Sequence, residues 1–295
     1  MIEIKNLVKR FPNVIAVNNL SIEIHPGING LIGENGAGKS TLLRLIADVY
    51  QKDEGTIIID GKDNSDKEVK NNLFFLSDNP FIYNNYNAKE TINFYSSLFD
   101  LDKDKFFEML NKLSLPQDRR LSTFSKGMRR QLFLALSLSM KAKYILLDEA
   151  FDGLDPIVQD VIKEEIILHA ADKTFLISSH NLLSLQRLCD NFILLSKGQC
   201  KKNGGSEDLG KNFRKYQAIF DKELTVRDFK RHGINAVSVK KIGSITYLVI
   251  SGENDEERVK EIFKPTLLEN VPIDNEELIM LEMISAKNEE ENINA

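Results

Sequence analysis

The order of apolar and polar positions predicts strands in the first part of the chain. Apolar runs at 14–17 and 20–24 are separated by Asn18 and Asn19, a pattern that predicts a hairpin. A further apolar run at 27–32 leads directly into a glycine-rich segment. The start of the chain is therefore expected to be mainly β-structure that delivers a strand into a tight turn.

Helical spacing follows, first after the glycine-rich segment and then through the middle of the chain. Residues 40–48 carry apolar side chains three and four positions apart, which predicts an amphipathic helix. Asn87, followed three positions later by Glu90, forms a capping box that begins a helix running to about residue 98. Two more helices are predicted at 102–113 and 126–140, so the region at about 80–140 is expected to be mostly helical.

Two wholly apolar segments after the helical region predict a parallel sheet. They lie at 144–147 and 174–177, and a helix at about 156–170 is predicted between them. A strand, a crossover helix and a second strand make parallel neighbours in one sheet. The predicted fold class is therefore α/β.

The composition changes after about residue 200, which predicts a second domain. Residues 201–210 are rich in Lys, Asn, Gly and Ser, and the expected linker is 206–213. Beyond it we predict an accessory α+β domain over 214–284, in which Asp274 and Glu277 cap the last helix, and a polar tail at 285–295. The predicted elements are strand 214–220, helix 225–232, hairpin 235–251 and helix 254–263. Residues 1–205 form the larger domain.

Composition and charge narrow the class of protein. The 295 residues include 39 Lys and Arg against 44 Asp and Glu, so no basic surplus supports nucleic-acid binding. Two cysteines, Cys189 and Cys200, are too few for a disulfide scaffold and fit a reducing compartment. The start of the chain does not resemble a signal peptide, and no apolar run approaches the roughly 20 residues of a membrane span. If this protein works at a membrane, we expect another chain to span it.

Residues 33–40 carry a phosphate-binding motif. They read Gly-Glu-Asn-Gly-Ala-Gly-Lys-Ser, which satisfies G-x-x-x-x-G-K-[ST] between a predicted strand and a predicted helix. The glycines allow backbone N–H groups to converge on an anion, and the helix N-terminus adds its dipole. Lys39 is expected to reach the β and γ phosphates, and the Ser40 hydroxyl is expected to bind Mg²⁺. The residues expected to bind the cofactor ATP here are Gly33, Asn35, Gly36, Gly38, Lys39, Ser40 and Thr41.

The strand at 144–147 ends in two carboxylates, Asp148 and Glu149. Two adjacent buried anions are unfavourable unless a cation lies beside them. Asp148 is therefore expected to hold Mg²⁺, and Glu149 is expected to polarise the attacking water. Together with the phosphate loop, this pair predicts a nucleotide-hydrolysing site.

Three further segments resemble the motifs of ABC ATPases. The segment 123–131, Thr-Phe-Ser-Lys-Gly-Met-Arg-Arg-Gln, is similar to the family signature, and Ser125 precedes Asp148 by 23 residues. Gly-Leu-Asp-Pro at 153–156 resembles the D-loop, and Ile-Ser-Ser-His at 177–180 resembles the switch-histidine segment. Their order and spacing identify residues 1–205 as an ABC nucleotide-binding domain. The resemblance implies a RecA-like core with β and helical subdomains.

The resemblance also implies roles for individual residues. Phe11 stands where the family has an aromatic side chain that stacks on adenine, and His180 would contact the γ-phosphate and hold Glu149. Ser125 and Gly127 would contact ATP held by the opposite subunit, with Asp155 at the seam between the two. Two subunits, expected to be identical, would close head to tail around two ATP molecules.

Three departures from the family pattern stand out. Asp78 falls where the family has the Q-loop Gln, so either Asp78 contacts the metal or Asn79 takes that role. Lys126 and Met128 replace a Gly and a Gln of the signature, and Ala150 replaces the Pro after the catalytic Glu. Because Lys39, Asp148, Glu149 and His180 are all kept, we predict a working ATPase.

The expected function is that of the ATPase subunit of a membrane exporter for a peptide, lipid or hydrophobic drug. The Ser-Lys-Gly-Met signature and the small C-terminal domain resemble the drug- and peptide-exporting branch. The permease, a separate chain, would dock at about 75–100 and hold the protein at the cytoplasmic face of the cell membrane. The aromatic side chains of that region are Phe81, Tyr83, Tyr86, Phe94 and Tyr95. An importer ATPase, or a soluble ABC ATPase of DNA repair or translation, stays as an alternative.

Overall fold

The computed structural model divides the chain into two compact units, Met1–Asn203 and Gly204–Ala295. It describes the chain except residues 82, 181–184, 186, 206–211, 253, 274–276, 279, 283 and 286–295. Residues 206–211 of the linker predicted at 206–213, the cap at Asp274, and residues 286–295 of the tail predicted at 285–295 therefore lie outside the described residues. In the described part, no helix combines the length and apolar character needed to cross a membrane.

A small antiparallel sheet opens the first unit, with strand order β2-β1-β4-β5. Its strands are β1 (Ile2–Phe11), β2 (Val14–Ile24), β4 (Glu54–Ile59) and β5 (Lys62–Asp63). The predicted hairpin around Asn18 and Asn19 is wrong, because β2 is one strand that pairs with β1 from Val14 to Ile24. Register shifts in that pairing, with Asn19 at a φ of 49°, absorb the two polar residues within the strand.

A larger sheet forms the centre of the first unit, with strand order β10-β9-β3-β8-β7-β6. Its strands are β3 (Gly27–Ile32), β6 (Leu73–Leu76), β7 (Tyr144–Leu147), β8 (Thr174–Ser179), β9 (Asn191–Ser196) and β10 (Gln199–Gly205). The pairs β3–β8, β3–β9, β6–β7 and β7–β8 are parallel, as the crossover pattern predicted. The carboxyl ends of β3, β6, β7 and β8 therefore meet at one edge, the usual place for ligands in such sheets.

The segment 201–210 is not simply a linker, because β10 extends through Gly205. Its polar side chains are compatible with a strand that lies at the edge of the sheet. The expected linker at 206–213 starts after this strand.

Helices pack beside the central sheet and through the middle of the unit. They are α1 (Lys39–Ile46), α2 (Lys67–Asn71), α3 (Ala88–Ser96), α4 (Lys103–Lys112), α5 (Lys126–Ser139) and α6 (Pro156–His169). The capping box of Asn87 and Glu90 is confirmed at the start of α3. The buried Glu165 of α6 accepts hydrogen bonds from Lys105, at 2.7 Å, and from Lys112. These contacts tie α4 to α6.

The second unit has the order strand, helix, strand, strand, helix, strand. Its elements are β11 (Arg214–Ile219), α7 (Val226–Arg231), β12 (Ala236–Ile242), β13 (Ile245–Ile250), α8 (Asp255–Phe263) and β14 (Leu267–Val271). The sheet order β12-β13-β11-β14 is that of a ferredoxin-like split βαβ unit. Its core packs around Tyr216, Phe229, Leu248 and Val259. The strand β14 was not predicted, because Glu269 and Asn270 interrupt its apolar pattern.

Candidate nucleotide-binding site

The phosphate loop lies between β3 and α1 and is shaped by close backbone contacts. Gly38 has a φ of 104°, and a Cβ there would lie 2.4 Å from the carbonyl oxygen of Ala16. A Cβ at Gly33 would lie 2.4 Å from the carbonyl oxygen of Leu195. Both positions therefore require glycine. Helix α1 begins at Lys39, at the end of the loop, so the positive end of its dipole faces the loop. Its N-cap, Gly38, has no side chain to occupy the N–H groups there.

Lys39 is buried, with 5% of its surface exposed, and spans the phosphate loop. Its Nζ donates to the carbonyl oxygen of Gly33 at 2.7 Å and to that of Glu34 at 3.3 Å. The same atom lies 3.4 Å from Oε1 of Glu149. The cation is therefore placed between the loop and the carboxylate, where it can respond to an incoming phosphate.

Asp148 is completely buried at the end of β7. Its Oδ1 accepts hydrogen bonds from Ser40 Oγ at 3.0 Å and from Ser178 Oγ at 2.7 Å. Among the described residues its Oδ2 has no hydrogen-bond partner, and burial raises the pKa of the carboxyl group. An orphaned carboxylate oxygen beside a serine hydroxyl suits a hard divalent cation that takes its remaining ligands from phosphate and water.

Glu149 is oriented by three groups. His180 Nδ1 lies 2.7 Å from Glu149 Oε2, and the His180 backbone N–H donates to the same oxygen at 3.2 Å. The Glu149 backbone N–H donates to Ser178 Oγ at 2.8 Å. The structure thus brings Glu149 and His180, which are 31 residues apart, into direct contact.

One end of the cavity, beside Phe11, is lined by apolar side chains. Phe11, at the end of β1, is 37% exposed and lines a cavity of about 920 Å³ with Val14 and Ala16. An edge-on contact with Tyr50, at a centroid distance of 5.8 Å, supports one side of the Phe11 ring. The same cavity continues past Asn35, Thr41 and the rest of the loop to Glu149 and His180.

The signature segment begins α5 and lies beside the D-loop of the same chain. Ser125 is the N-cap of α5, and its Oγ accepts a hydrogen bond from the Met128 N–H at 3.1 Å. A Cβ at Gly127 would lie 3.4 Å from the carbonyl oxygen of Gly153. Asp155 caps α6 by accepting from the Val158 N–H at 3.1 Å. Both motifs are therefore held in defined turns within this chain.

Asp78 lies at the Q-loop position, just after β6, and its carboxylate pairs with an arginine. Arg44 Nη2, from α1, lies 3.1 Å from Asp78 Oδ1. Asp78 and Asn79 both line the cavity. The negative charge introduced by the departure from Gln therefore has a cationic partner on the phosphate-loop helix.

Sequence reasoning missed several residues that shape the site. Ser178 was quoted only as part of a motif, yet it contacts both Asp148 and Glu149. Arg44 and Arg130 carried no signal as single arginines in helical segments. Their partners are far away in the sequence, so only the fold shows what they do.

Comparison with known proteins agrees with this geometry. Residues 17–152 match the family model described as ABC transporter. The chain is 28% identical over 289 residues to the ABC transporter ATP-binding protein YtrB of Bacillus subtilis (strain 168), covering 95% of this chain and 97% of YtrB. It is 31% identical over 229 residues to the lantibiotic transport ATP-binding protein SrtF of Streptococcus pyogenes, covering 75% of this chain and 99% of SrtF.

The fold of the first unit is also similar to solved structures of ABC transporter subunits. A structure described as the ATP-binding subunit of an ABC transporter superposes with a TM-score of 0.65 at 24% identity, covering 70% of this chain and 91% of that one. The mixed α/β cassette is thus confirmed as the fold. The chain belongs to the ABC transporter ATP-binding family, whose members bind and hydrolyse ATP. It is an ABC ATPase subunit of a transporter.

Proposed function

We propose that this protein is the motor subunit of an exporter that uses ATP to move a peptide, lipid or hydrophobic drug through a separate permease. The similarity to SrtF, which is named for lantibiotic transport, supports export of a peptide. The Ser-Lys-Gly-Met signature at 125–128 is similar to the exporting branch and supports the same direction. Among these substrates we place peptides first.

The phosphate loop and Phe11 bind ATP in this proposal. Phe11 offers its exposed ring to adenine, while the loop N–H groups and the α1 dipole receive the phosphates. Binding of the phosphates draws Lys39 Nζ from Glu149 Oε1, at 3.4 Å, towards the β and γ phosphate oxygens. Glu149 Oε1 is then available to accept a hydrogen bond from the attacking water, while Oε2 keeps its contact with His180.

Ser40 and the orphaned Oδ2 of Asp148 would hold Mg²⁺ together with the phosphates. When bound there, the ion would supply positive charge to the phosphate groups of ATP. A contact from Asp78 to the ion requires its pair with Arg44 to open. If Asp78→Ala leaves the Mg²⁺ dependence of hydrolysis unchanged, that contact does not exist.

Glu149 acts as the general base in this proposal, and His180 positions it. The 2.7 Å contact between His180 Nδ1 and Glu149 Oε2, beside Lys39, is the single observation that carries the hydrolytic role. A base must be held in one orientation to meet the water in line with the scissile bond. His180 and the Ser178 hydroxyl supply that orientation.

Ser125 and Gly127 would complete the site of a second subunit, with Asp155 at the seam. The N-terminal end of α5 presents N–H groups and a favourable dipole to a phosphate of the opposite ATP. A homodimer fits, because one chain carries both halves of the site. Closure of the dimer on ATP and reopening after hydrolysis would drive the permease.

An aromatic cluster in the helical region is the proposed permease contact. Phe81, which is 73% exposed, contacts Tyr83 at a centroid distance of 5.0 Å, and Tyr83 contacts Tyr86 and Phe94. The cluster continues to Tyr95. Exposed aromatic groups of this kind are typical of protein interfaces. Docking there would hold the protein at the cytoplasmic face of the membrane.

Purification of the tagged protein from solubilised membranes tests the transporter assignment, with Phe81→Ala as the docking variant. We expect a stoichiometric multi-span partner with the original chain and a weaker yield with Phe81→Ala. Reconstitution of that complex into vesicles, with the ATPase outside, tests direction. An exporter accumulates its substrate inside such vesicles on addition of ATP, whereas ATP-driven loss of internal substrate would favour an importer.

A further inference from the structure

Arg130 is a buried cation on the signature helix that faces main-chain carbonyl groups. It lies five residues after Ser125, on α5, and is 7% exposed. Its Nε donates to the carbonyl oxygen of Ala150 at 3.2 Å, and its Nη2 donates to that of Asp148. Its Nη1 donates to the carbonyl oxygens of Ser77 at 3.0 Å and Asp78 at 3.4 Å. The planar guanidinium fork is therefore occupied by four acceptors from two segments.

Two of these acceptors stand on either side of Glu149. Asp148 precedes the proposed base and Ala150 follows it, so Arg130 holds the carbonyl groups of both flanking residues. Glu149 itself has a φ of 48°, in the left-handed region that side chains other than glycine rarely adopt. Such a conformation persists only where surrounding contacts hold it. Arg130 supplies two of those contacts, and Ser178 supplies a third through the Glu149 N–H.

The other two acceptors belong to the Q-loop position after β6. Arg130 therefore joins three parts of the molecule: the helix that begins at the signature, the end of β6 and the end of β7. A shift of α5 along or about its axis would move the guanidinium and with it the backbone on both sides of Glu149. Engagement of Ser125 at one site can in this way affect the position of the base in the same chain's own site.

If Arg130 only neutralised buried acids, its hydrogen bonds would be expected to go to carboxylate oxygens. All four of its hydrogen bonds go to carbonyl oxygens, which fix backbone geometry, although the carboxylates of Asp148 and Asp78 are close enough to favour its charge. A guanidinium is suited to this role because its donors lie in one rigid plane. Lysine has a single donor centre and cannot hold both flanking carbonyls in the same geometry.

We propose that Arg130 is a positioning residue for hydrolysis, which holds Glu149 in its active backbone conformation and links it to the signature helix. This proposal rests on the proposed role of Glu149 as the base. It predicts a loss of turnover without a loss of ATP binding, because the four hydrogen bonds that Arg130 makes to described residues all go to positions outside the phosphate loop.

The test compares Arg130→Lys and Arg130→Gln with the original chain in the full-length protein. The kcat of ATP hydrolysis, the Kd for ATP and the thermal midpoint are measured for each. For Arg130→Lys we expect a kcat about 100-fold lower, the effect of a displacement of about 1 Å at a reacting group. The Kd for ATP should stay within about twofold. If Arg130→Gln does not fold, Arg130→Lys, which keeps the charge, still decides the question.

Lys141→Ala is the control for the loss of a positive charge, the change that Arg130→Gln also makes, and Lys141 lies just beyond the end of α5. Its exposed pair with Asp100, at 2.9 Å, is remote from the carbonyls around Glu149. Its kcat should equal that of the original chain. In a Glu149→Gln background, Arg130→Lys should cause no further loss of turnover, since both changes act through one group.

Three outcomes overturn the proposal. One is an Arg130→Lys variant with kcat within about threefold of the original. Another is an equal weakening of kcat and ATP binding, the mark of a general structural role. The third is an additive loss in the Glu149→Gln background. Normal turnover in Glu149→Gln alone would overturn the assignment of the base as well, so the two failures are distinguishable.

Discussion

At the phosphate-loop end of the cavity, Lys39 and Asp148 are buried and make short contacts within one chain. At the signature end, Lys126 is 86% exposed and pairs with Asp152 at 3.4 Å. A charge that works on its own chain's substrate is usually enclosed, whereas a group that meets a partner stays at the surface until the partner arrives. The difference is the one expected if two chains complete each other's sites, as proposed above.

The largest expected effect on ATP hydrolysis comes from removal of a buried residue at the phosphate-loop end of the cavity. Lys39→Ala removes the buried cation that lies between Gly33 and Glu149, and with it the side-chain charge expected at the β and γ phosphates. We expect ATP hydrolysis to fall by at least about 100-fold, as for loss of a preorganised electrostatic group. ATP binding, followed by isothermal titration calorimetry, should weaken with it. Retained affinity together with retained turnover would contradict the enclosed role of Lys39.

Removal of the Ser125 hydroxyl, at the signature end, should lower ATP hydrolysis but not ATP affinity. In Ser125→Ala, one chain should still bind ATP with unchanged affinity, while steady-state hydrolysis falls by about tenfold or more because the opposite site is incomplete. Ser125 also caps α5, so the loss of the cap should lower the free energy of unfolding by about 1 kcal/mol.

Asp102→Ala is the control for that cap. Asp102 caps α4 in the same way, accepting from the Lys105 N–H at 3.0 Å, and is not among the residues that line the cavity. It should cost a similar free energy of unfolding without a change in hydrolysis. A matching loss of hydrolysis in Asp102→Ala would mean that the Ser125 effect reflects helix stability alone.

Ser178→Ala should have the smallest effect on turnover of the three changes. Its hydroxyl donates to Asp148 and accepts from the Glu149 N–H, so its removal loosens both carboxylates. A buried group left without its partner costs about 1–3 kcal/mol, and we expect kcat to fall by a few-fold to about tenfold.

The control for Ser178→Ala is Ser137→Ala, which removes a buried hydroxyl that donates to the Phe133 carbonyl of its own helix. Thermal denaturation and kcat measured together separate the two variants. Equal loss of kcat in both would remove the case for a specific role of Ser178.

Much of the site could be predicted because its residues belong to short sequence motifs that directly follow predicted strands. Lys39 follows β3 in a fixed spacing, and Asp148, Glu149 and His180 follow neighbouring parallel strands whose carboxyl ends must meet. The contact of His180 with Glu149 is therefore a consequence of strand order. The motif order alone already placed the chain in its family.

The remaining features depend on long-range packing that no local pattern encodes. Arg44 pairs with Asp78, which is 34 residues away in the sequence. Arg130, on α5, donates hydrogen bonds to the carbonyl groups of Ser77 and Asp148, which follow two strands of the central sheet. The continuous β2 escaped prediction because a local asparagine pair suggested a turn, while pairing with β1 over its whole length overrides that signal. Tertiary context decides such cases.

The most direct measurement is the molar mass of Glu149→Gln in solution with and without ATP, by size-exclusion chromatography with light scattering. With the base removed and the phosphate contacts kept, ATP should bind without being hydrolysed and should hold two chains together at each other's signature ends. We predict a monomer without ATP and a stable dimer with ATP, and scarcely any phosphate release. A monomer that binds ATP, or normal phosphate release from this variant, would contradict a hydrolytic site built by Glu149 and completed by a second chain.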